Sequence, residues 1–312
     1  MLQVGTRTAY PLITEQLVRG DVQGTAPKAV KAKQPTVGRP KGSPNKNREA
    51  VELSPFQTQL QGSIRSALSL IGLDLNLVYF VYDGALGHNA GLQAVRQTGL
   101  HLICKLRYDS KLYFPYLGEY SGKGKPRKYG DKLTLETLTK DHLRTESVEK
   151  GIRTQIYQAA VWHKNFPDRL NVVIIVKTNL KTGKSAKVLL FSDDLMLASE
   201  TLIGYYSLRF QIEFNFRDAK QYWGLEDFMN VKETQVNNAA NFSLFMVTFS
   251  QLLSAKMEGV NRGSMLDLKT LFRARKYTRR IINSLGLNAQ EFLNDGRLSH
   301  AAEIGRIHAG TA

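Results

Sequence analysis

Two continuous apolar runs in the first third of the chain predict neighbouring buried strands. LNLVYFVYD (75–83) ends on Asp83, and LHLICKLR (100–107) follows a segment with the features of a turn and a helix closed by Gly99. Runs that are apolar at consecutive positions are typical of strands buried on both faces, and a helical connection makes such strands parallel. Because open α/β sheets place ligands beyond the carboxyl ends of their strands, Asp83 is a candidate functional residue.

The pattern changes after residue 107 to shorter β-type segments and then to long helices. The Thr182-Gly183 pair separates two apolar runs and predicts a β-hairpin between them. Helices are predicted at about 52–72, about 196–223 and about 237–257. We therefore expect an α/β fold with a β-rich insertion ahead of the helix at about 196–223.

Composition divides the chain further. Residues 20–50 are rich in Lys, Pro, Gly and Asn and carry almost no large apolar side chains, so they cannot contribute to a core. The predicted segments are an N-terminal remnant of the core (1–19), a basic flexible loop (20–50), the first part of the core (51–107), the β-rich insertion (108–195), the second part of the core (196–257) and a basic C-terminal tail (258–312).

The chain is strongly basic, with 43 Lys and Arg residues against 27 Asp and Glu residues and a formal net charge of +16. This excess predicts a polyanionic partner, for which nucleic acid is the usual choice. A ribosomal protein or a protein bound at a membrane surface would fit the charge equally well. The net charge therefore indicates a class of partner but no chemistry.

Cysteine content and hydropathy exclude several classes of protein. The single cysteine, Cys104, excludes an internal disulfide framework and a cysteine-based zinc site, and its apolar surroundings predict a buried side chain. The longest apolar runs are too short to span a bilayer, and the N-terminal residues lack the basic start and apolar centre of a signal peptide. We therefore expect a cytoplasmic protein with no membrane partner.

Three basic stretches are candidate DNA contacts. GRPKG (38–42) resembles an AT-hook core, in which Arg39 would enter a narrow minor groove, although a solvated basic loop is the alternative. The run from Arg273 to Arg280 fits a DNA contact and a solvated tail equally well. SGKGKPRKYG (121–130) predicts a cationic hairpin tip able to follow a phosphate backbone. Its cations are Lys123, Lys125, Arg127 and Lys128.

The stretch IGYYSLRFQIEFNFRDAKQYWGLEDFM (203–229) alternates charged and aromatic residues too closely for a single amphipathic stripe. On a continuous helix, four of its residues would fall within an arc of roughly 60°. They are Tyr206, Arg209, Glu213 and Lys220. Such a ridge can present one acid to a metal, and two cations with a phenol to phosphates. An ion-pair ladder on a solvated face, with Arg209 and Glu213 one turn apart, is the alternative.

These four residues have the spacing of the Y-R-E-K signature, and in that respect the chain resembles bacterial insertion-sequence transposases of the insertion-sequence-four group. The segment YDGALGHNAGLQAVRQTGLHLICKLR resembles the surroundings of the second catalytic aspartate of that family, which corresponds to Asp83. The resemblance implies an RNase H-like mixed sheet with flanking helices, whose two aspartates and one glutamate hold two Mg²⁺ ions. It makes Asp83 and Glu213 catalytic metal ligands. Tyr206, Arg209 and Lys220 would bind the DNA backbone near the cleaved phosphate.

The same resemblance implies a DDE-type transposase that cleaves DNA at the ends of an insertion sequence and transfers the strands to a target. Its partner would be double-stranded DNA, as terminal repeats and as target, and it would act as a homodimer associated with the bacterial nucleoid. Trp223 and Tyr222 would stack on a displaced base or pack in the core.

The chain departs from the family pattern at the first aspartate. Before Asp83 its aspartates are Asp21, with no strand around it, and Asp74, which a strand would hold roughly 30 Å from Asp83. We therefore expect an N-terminally truncated chain with impaired catalysis. Asp193 and Asp194 would be either substitutes for the first acid or caps of the following helix.

Three other functions stay open. A non-catalytic DNA-binding remnant of a transposase would bind DNA in a salt-sensitive way without nicking it. A structural RNA-binding protein would explain the charge but not the spacing from Tyr206 to Lys220. Another RNase H-like nuclease would need an acid from the C-terminal helix, and no acid occurs between Glu233 and Glu258.

Overall fold

The fold divides into two compact units in a computed structural model of the chain. The sheet unit comprises Leu17–Arg209, and the helical unit comprises Met1–Gln16 with Phe210–Ala312. Four residues considered above, Asp21, Arg39, Asp74 and Lys123, lie outside the described residues. The structure describes residues 9–12, 14–15, 47–72, 76–120, 122, 124–229, 231–256 and 264–288.

The described part of the sheet unit contains one mixed sheet of eight strands in the order β1-β2-β8-β7-β6-β3-β4, with β5 paired to β6. The strands are β1 (Tyr79–Val81), β2 (His101–Leu106), β3 (Leu112–Pro115), β4 (Tyr129–Lys132), β5 (Leu143–Glu149), β6 (Ile152–His163), β7 (Arg169–Asn179) and β8 (Ser185–Ser192). The predicted parallel pairing of β1 with β2 is confirmed, and the other pairs are antiparallel. The strands of the predicted β-rich insertion therefore extend the same sheet.

The described residues of the sheet unit form three α-helices, which are α1 (Pro55–Ile71), α2 (Asn89–Arg96) and α3 (Ser199–Leu208). The start of α1 is fixed by a capping box, since the Ser54 hydroxyl accepts a bond from the Gln57 amide while the Gln57 side chain accepts one from the Ser54 amide. The positive φ of Gly99, +87°, closes the α2 segment as its sequence predicts.

Alternating residues of the strands bury the two faces of the sheet against different helices. Leu102 and Cys104 of β2 belong to a core cluster that includes Ile64 of α1 and Leu92 of α2. Ile103, between them, belongs to a second cluster with Leu202 of α3. Burial on both faces explains the continuous apolar run of β2. A mixed sheet with flanking helices confirms the predicted α/β class and is consistent with an RNase H-like fold.

The helical unit contains α4 (Gln211–Trp223), α5 (Glu233–Lys256) and α6 (Met265–Ser284). Its core cluster is formed by Ala219, Leu225, Leu244 and Val247. Gly224 ends α4 in the left-handed conformation, with φ +73°. α6 lies within the segment predicted as a basic tail, because Leu268 and Leu271 bury one side of it.

The prediction of a single helix at about 196–223 is wrong, because α3 ends at Leu208 and α4 begins at Gln211. At the junction the amides of Arg209 and Glu213 bond to carbonyls three residues back, those of Tyr206 and Phe210, at 3.2 and 3.1 Å. The physical reason is that α3 packs in the core of the sheet unit while α4 packs in that of the helical unit. Two helices with different cores need no common apolar stripe, which accounts for the mixed pattern of the segment.

Candidate active site

Asp83 lies beyond the carboxyl end of β1, as its sequence predicts, and caps a short 3₁₀ turn (Gly84–Leu86). Its Oδ1 accepts a hydrogen bond of 2.9 Å from the Ala85 amide. The Cys104 thiol donates to its backbone carbonyl, and this thiol is fully buried, as predicted. The side chain of Asp83 is exposed, and no Lys, Arg or His among the described residues forms an ion pair with it.

The turn after Asp83 is held tightly against β2. A Cβ added at Gly87 would lie 2.4 Å from the Lys105 carbonyl oxygen, so only glycine allows this approach. Leu86 is 1% exposed. His88 caps α2, since its Nδ1 accepts a bond of 3.1 Å from the Gly91 amide. This packing fixes the backbone that carries the acid.

Tyr206 and Arg209 lie in the sheet unit together with Asp83. Tyr206, near the end of α3, packs against the cluster that contains Ile103 of β2, and the Arg209 guanidinium lies 5.8 Å from its ring centroid. Burial raises the pKa of the Tyr206 phenol; the Arg209 cation opposes this rise, and negative charge at Cys104 and at Asp83 adds to it.

Glu213 and Lys220 belong to α4 in the helical unit, and both are exposed. Seven residues apart, they lie on the same face of this helix. The Lys220 ammonium is 2.6 Å from a carboxylate oxygen of Glu226, in an ion pair whose two side chains are about half exposed. The ridge of four aligned residues is therefore divided, with Tyr206 and Arg209 before the junction and Glu213 and Lys220 after it.

Trp223, at the end of α4, packs against the core cluster of the helical unit. The Lys269 ammonium lies 5.1 Å from its ring centroid and donates a bond of 2.7 Å to the Tyr222 carbonyl. These contacts show that Trp223 packs in the core, which is one of the two roles predicted for it.

Asp193 and Asp194 follow β8 at the opposite end of β1 from Asp83. Asp193 accepts a bond of 2.8 Å from the Leu102 amide and lies 3.0 Å from the His101 ring. The predicted capping role is wrong, because the N-cap of α3 is Ala198 and no side chain caps it. Since the extended chain from Tyr79 to Asp83 spans about 13 Å, neither acid substitutes for a ligand beside Asp83.

The Asp194 carboxylate is engaged by Tyr79, a contact that the sequence pattern did not reveal. The Tyr79 hydroxyl donates to it at 2.7 Å, and the Met196 amide donates to its other oxygen at 2.9 Å. Burial on its own raises the pKa of Asp194, but these two hydrogen bonds and nearby His101 outweigh it, so that the pKa lies below its ordinary value. Burial and the same bond raise the pKa of Tyr79 to about 12.

The predicted cationic hairpin tip lies between the paired strands β3 and β4, and its described cations differ in their surroundings. Lys125 and Arg127 are exposed, although the Arg127 guanidinium also lies 4.7 Å from the Tyr116 ring centroid. Lys128 is half-buried; its ammonium lies 3.5 Å from the Trp162 ring centroid and donates to the Pro167 carbonyl. Lys125 and Arg127 therefore retain exposed surface suited to phosphates, although the Arg127 Nε donates to the Tyr129 carbonyl at 2.9 Å. Lys128 is held more closely by its partners within the fold.

The donor chemistry of the site fits a divalent metal at Asp83. An exposed carboxylate on a rigid turn is the hard oxygen ligand that Mg²⁺ prefers. Glu213 offers a second exposed carboxylate from the first turn of α4. Among the described residues no group of three or more His, Cys, Asp or Glu side chains is arranged to hold a metal, so the third ligand is not assigned.

Comparison with known families identifies the relationship of the chain. The family model described as DDE superfamily endonuclease matches residues 12–168, half of the chain, which include Asp83 and end before α3. None of the described helices has the length and hydropathy to cross a membrane. No curated protein matches the chain. By the family match, the chain belongs to the DDE superfamily endonucleases.

Proposed function

We propose that the chain is a DDE-type transposase, which cleaves DNA strands and transfers them in a metal-dependent reaction. The observation that carries this proposal is the position of Asp83 beyond the carboxyl end of β1, in the sheet unit that also contains Tyr206 and Arg209. An acid, a phenol and a guanidinium are groups that can act on a phosphodiester, and the family supplies the class of reaction, phosphoryl transfer on DNA.

Asp83 and Glu213 are proposed to hold Mg²⁺. When bound, the metal would activate a water molecule or a 3′-hydroxyl and stabilise the leaving oxygen. The turn packed against Lys105 holds the Asp83 carboxylate in place, which keeps a ligand oxygen ready without reorganisation.

Tyr206, Arg209 and Lys220 are proposed to bind the DNA backbone. Because its pKa is raised, the Tyr206 phenol stays protonated at neutral pH and can donate a hydrogen bond to a phosphate oxygen. Arg209 adds a cation with a planar donor set suited to phosphate. The exposed pair of Lys220 with Glu226 is worth at most about 1 kcal/mol, so a phosphate can compete for the ammonium.

The proposed partners are DNA duplexes and a second copy of the chain. Terminal repeats and target DNA would be bound as duplexes, a homodimer would bring two ends together, and the protein would reside on the nucleoid. The net charge of +16 supports association with a polyanion of this kind.

A non-catalytic DNA-binding role is the second candidate function. It is favoured by the positions of two acids, because Asp193 and Asp194 are engaged at the far end of β1 and not beside Asp83. Such a protein would occupy element ends or form mixed oligomers with an active transposase.

A plasmid-nicking assay separates the two functions. The purified chain, with Mg²⁺ or Mn²⁺, is compared with Asp83→Asn and Glu213→Gln, which preserve shape but remove the carboxylate charge. We expect the wild-type chain to nick and both variants to lose nicking while binding DNA as before. Asp131→Asn, which changes an exposed acid of β4, is the matched control and should nick normally.

Each result has a distinct meaning. Nicking that persists in both variants would refute the assignment of Asp83 and Glu213. DNA binding without nicking by the wild-type chain would establish the second candidate function. Absence of DNA binding would refute both.

A further inference from the structure

α6 carries a stripe of exposed cations on the side opposite its buried residues. Arg273, Lys276 and Arg280 follow one another at helical spacings of three and four and fall within an arc of roughly 60°. Leu268 and Leu271 lie on the other side of the helix and are buried. The three cations, here called the α6 stripe, extend for about 10 Å along the helix.

Nothing within the described part of the chain balances the charge of the α6 stripe. No ion pair or hydrogen bond to another described residue involves these three side chains, in contrast to Lys269, whose ammonium is bonded to Tyr222. Like charges at such spacings destabilise a helix. The helix dipole does not explain them, because the last turn of α6 contains no basic residue. A polyanion bound along the stripe would remove this repulsion.

The family match makes DNA the polyanion expected at this surface. The cations of the α6 stripe are spaced along the helix axis, and the phosphates of a duplex are also regularly repeated. Burial does not use all the apolar side chains of α6, because Leu268 and Leu271 are buried while Tyr277 and Ile281 are 53% and 59% exposed. Binding to an anionic membrane surface is therefore one of the outcomes that the test distinguishes.

We propose that the α6 stripe is a phosphate-binding surface for duplex DNA, which contributes affinity without reading sequence. This inference rests on the proposed function, since it takes DNA as the substrate. It assigns part of the DNA binding to a helix outside the candidate active site. Phosphate contacts of this kind position a protein on its duplex and carry no base specificity.

The test is the salt dependence of duplex binding, measured by fluorescence anisotropy over a series of KCl concentrations. The triple variant Arg273→Gln, Lys276→Gln, Arg280→Gln is compared with a control of equal charge change, Lys181→Gln, Lys184→Gln, Lys187→Gln, at the exposed β7–β8 hairpin. Each lost phosphate contact makes the slope of log K against log salt less steep by about 0.9. The slope measured for the α6 variant should therefore be less steep than that of the wild type by between about 2 and 3. The control should keep the wild-type slope.

Circular dichroism shows whether the α6 variant keeps its fold. Removal of like-charge pairs should leave the helix content unchanged or raise it. An unchanged slope in the α6 variant, or an equal loss in the control, would overturn the inference and leave the proposed function standing. Binding of phosphatidylserine vesicles, but not of duplex DNA, through the α6 stripe would also overturn it. Failure of the wild-type chain to bind any duplex is a different result and refutes the proposed function itself.

Discussion

At the scale of single residues, Tyr79 and Asp194 show how one hydrogen bond joins two strands that are distant in sequence. Tyr79 begins β1, and Asp194 follows β8, with β2 between these strands in the sheet. The bond favours the protonated phenol and the ionised carboxylate, and it therefore moves the two pKa values in opposite directions. The pair fixes the end of β1 opposite Asp83.

We predict that Tyr79→Phe lowers the free energy of unfolding by about 1 kcal/mol at neutral pH, a value reduced for partial exposure of the pair. Asp194 has a lowered pKa in the folded state, so its contribution is present above the ordinary aspartate pKa and is lost as pH falls through the folded value. Tyr79 has a raised pKa, so its contribution is present below the ordinary tyrosine value and is lost as pH rises towards about 12.

Urea unfolding at a series of pH values measures this effect. The difference between wild type and Tyr79→Phe should be largest between these limits and decline on both sides. Tyr108→Phe, at a tyrosine that is 73% exposed, should differ little from wild type at any pH. A difference that is independent of pH would show that the stabilisation comes from packing of the ring.

At the scale of elements, the position of α2 is set by close backbone contact with the turn that carries Asp83. Gly91 lies in the first turn of α2, and an added Cβ would be 2.5 Å from the Leu86 carbonyl oxygen and 2.9 Å from its Cα. A glycine in a helix otherwise lowers stability relative to alanine. Here it permits an approach that no other residue allows, and this approach holds the turn that carries Asp83 between α2 and β2.

Gly91→Ala is therefore expected to destabilise the fold by about 2 kcal/mol, because backbone atoms must shift to admit the methyl group. Gly62→Ala is the matched control, since a Cβ there meets no atom within 4 Å, and it should stabilise α1 by up to about 1 kcal/mol. Thermal unfolding of the two variants checks both signs. Similar behaviour of the two would contradict the close approach of α2 to the turn.

At the scale of the whole molecule, the helical unit joins the beginning of the described chain to residues more than 200 positions later. The Ala9 amide donates to Gln211 at 2.7 Å, and Asn215 donates to the Ala9 carbonyl. Asn241 and Thr248 of α5 donate to the carbonyls of Thr14 and Pro11, at 2.9 and 3.2 Å. Side chains of α4 and α5 therefore hold residues 9–15 along much of their length.

We expect the double variant Asn241→Leu, Thr248→Val to loosen the segment around residues 9–15. Its loss of two donors should accelerate amide hydrogen exchange in the N-terminal peptide, as measured by mass spectrometry. Ser250→Ala is the control, because the Ser250 hydroxyl bonds within α5 to the Met246 carbonyl. Unchanged exchange in the double variant would mean that these bonds do not hold the segment.

The sequence by itself determined the elements whose signals are local. The buried run of β2, the hairpin at Thr182-Gly183 and the end of α4 at Gly224 each depend on residues within a few positions. Asp83 was predicted at its strand end for the same reason, because a strand and the residue that follows it form one local pattern. The burial of Cys104 follows from the same apolar run.

Only the tertiary structure decided features that depend on which core each side chain meets. The division between α3 and α4 reflects packing in two different units, and periodicity within one segment cannot report two partners. Asp193 and Asp194 have the sequence features of helix caps, yet atoms of β1 and β2 engage them first. The exposed cations of α6 became distinguishable from Lys269 only once the bond of Lys269 to the Tyr222 carbonyl was known. Local sequence specifies conformation, whereas long-range packing decides which groups remain available to a substrate.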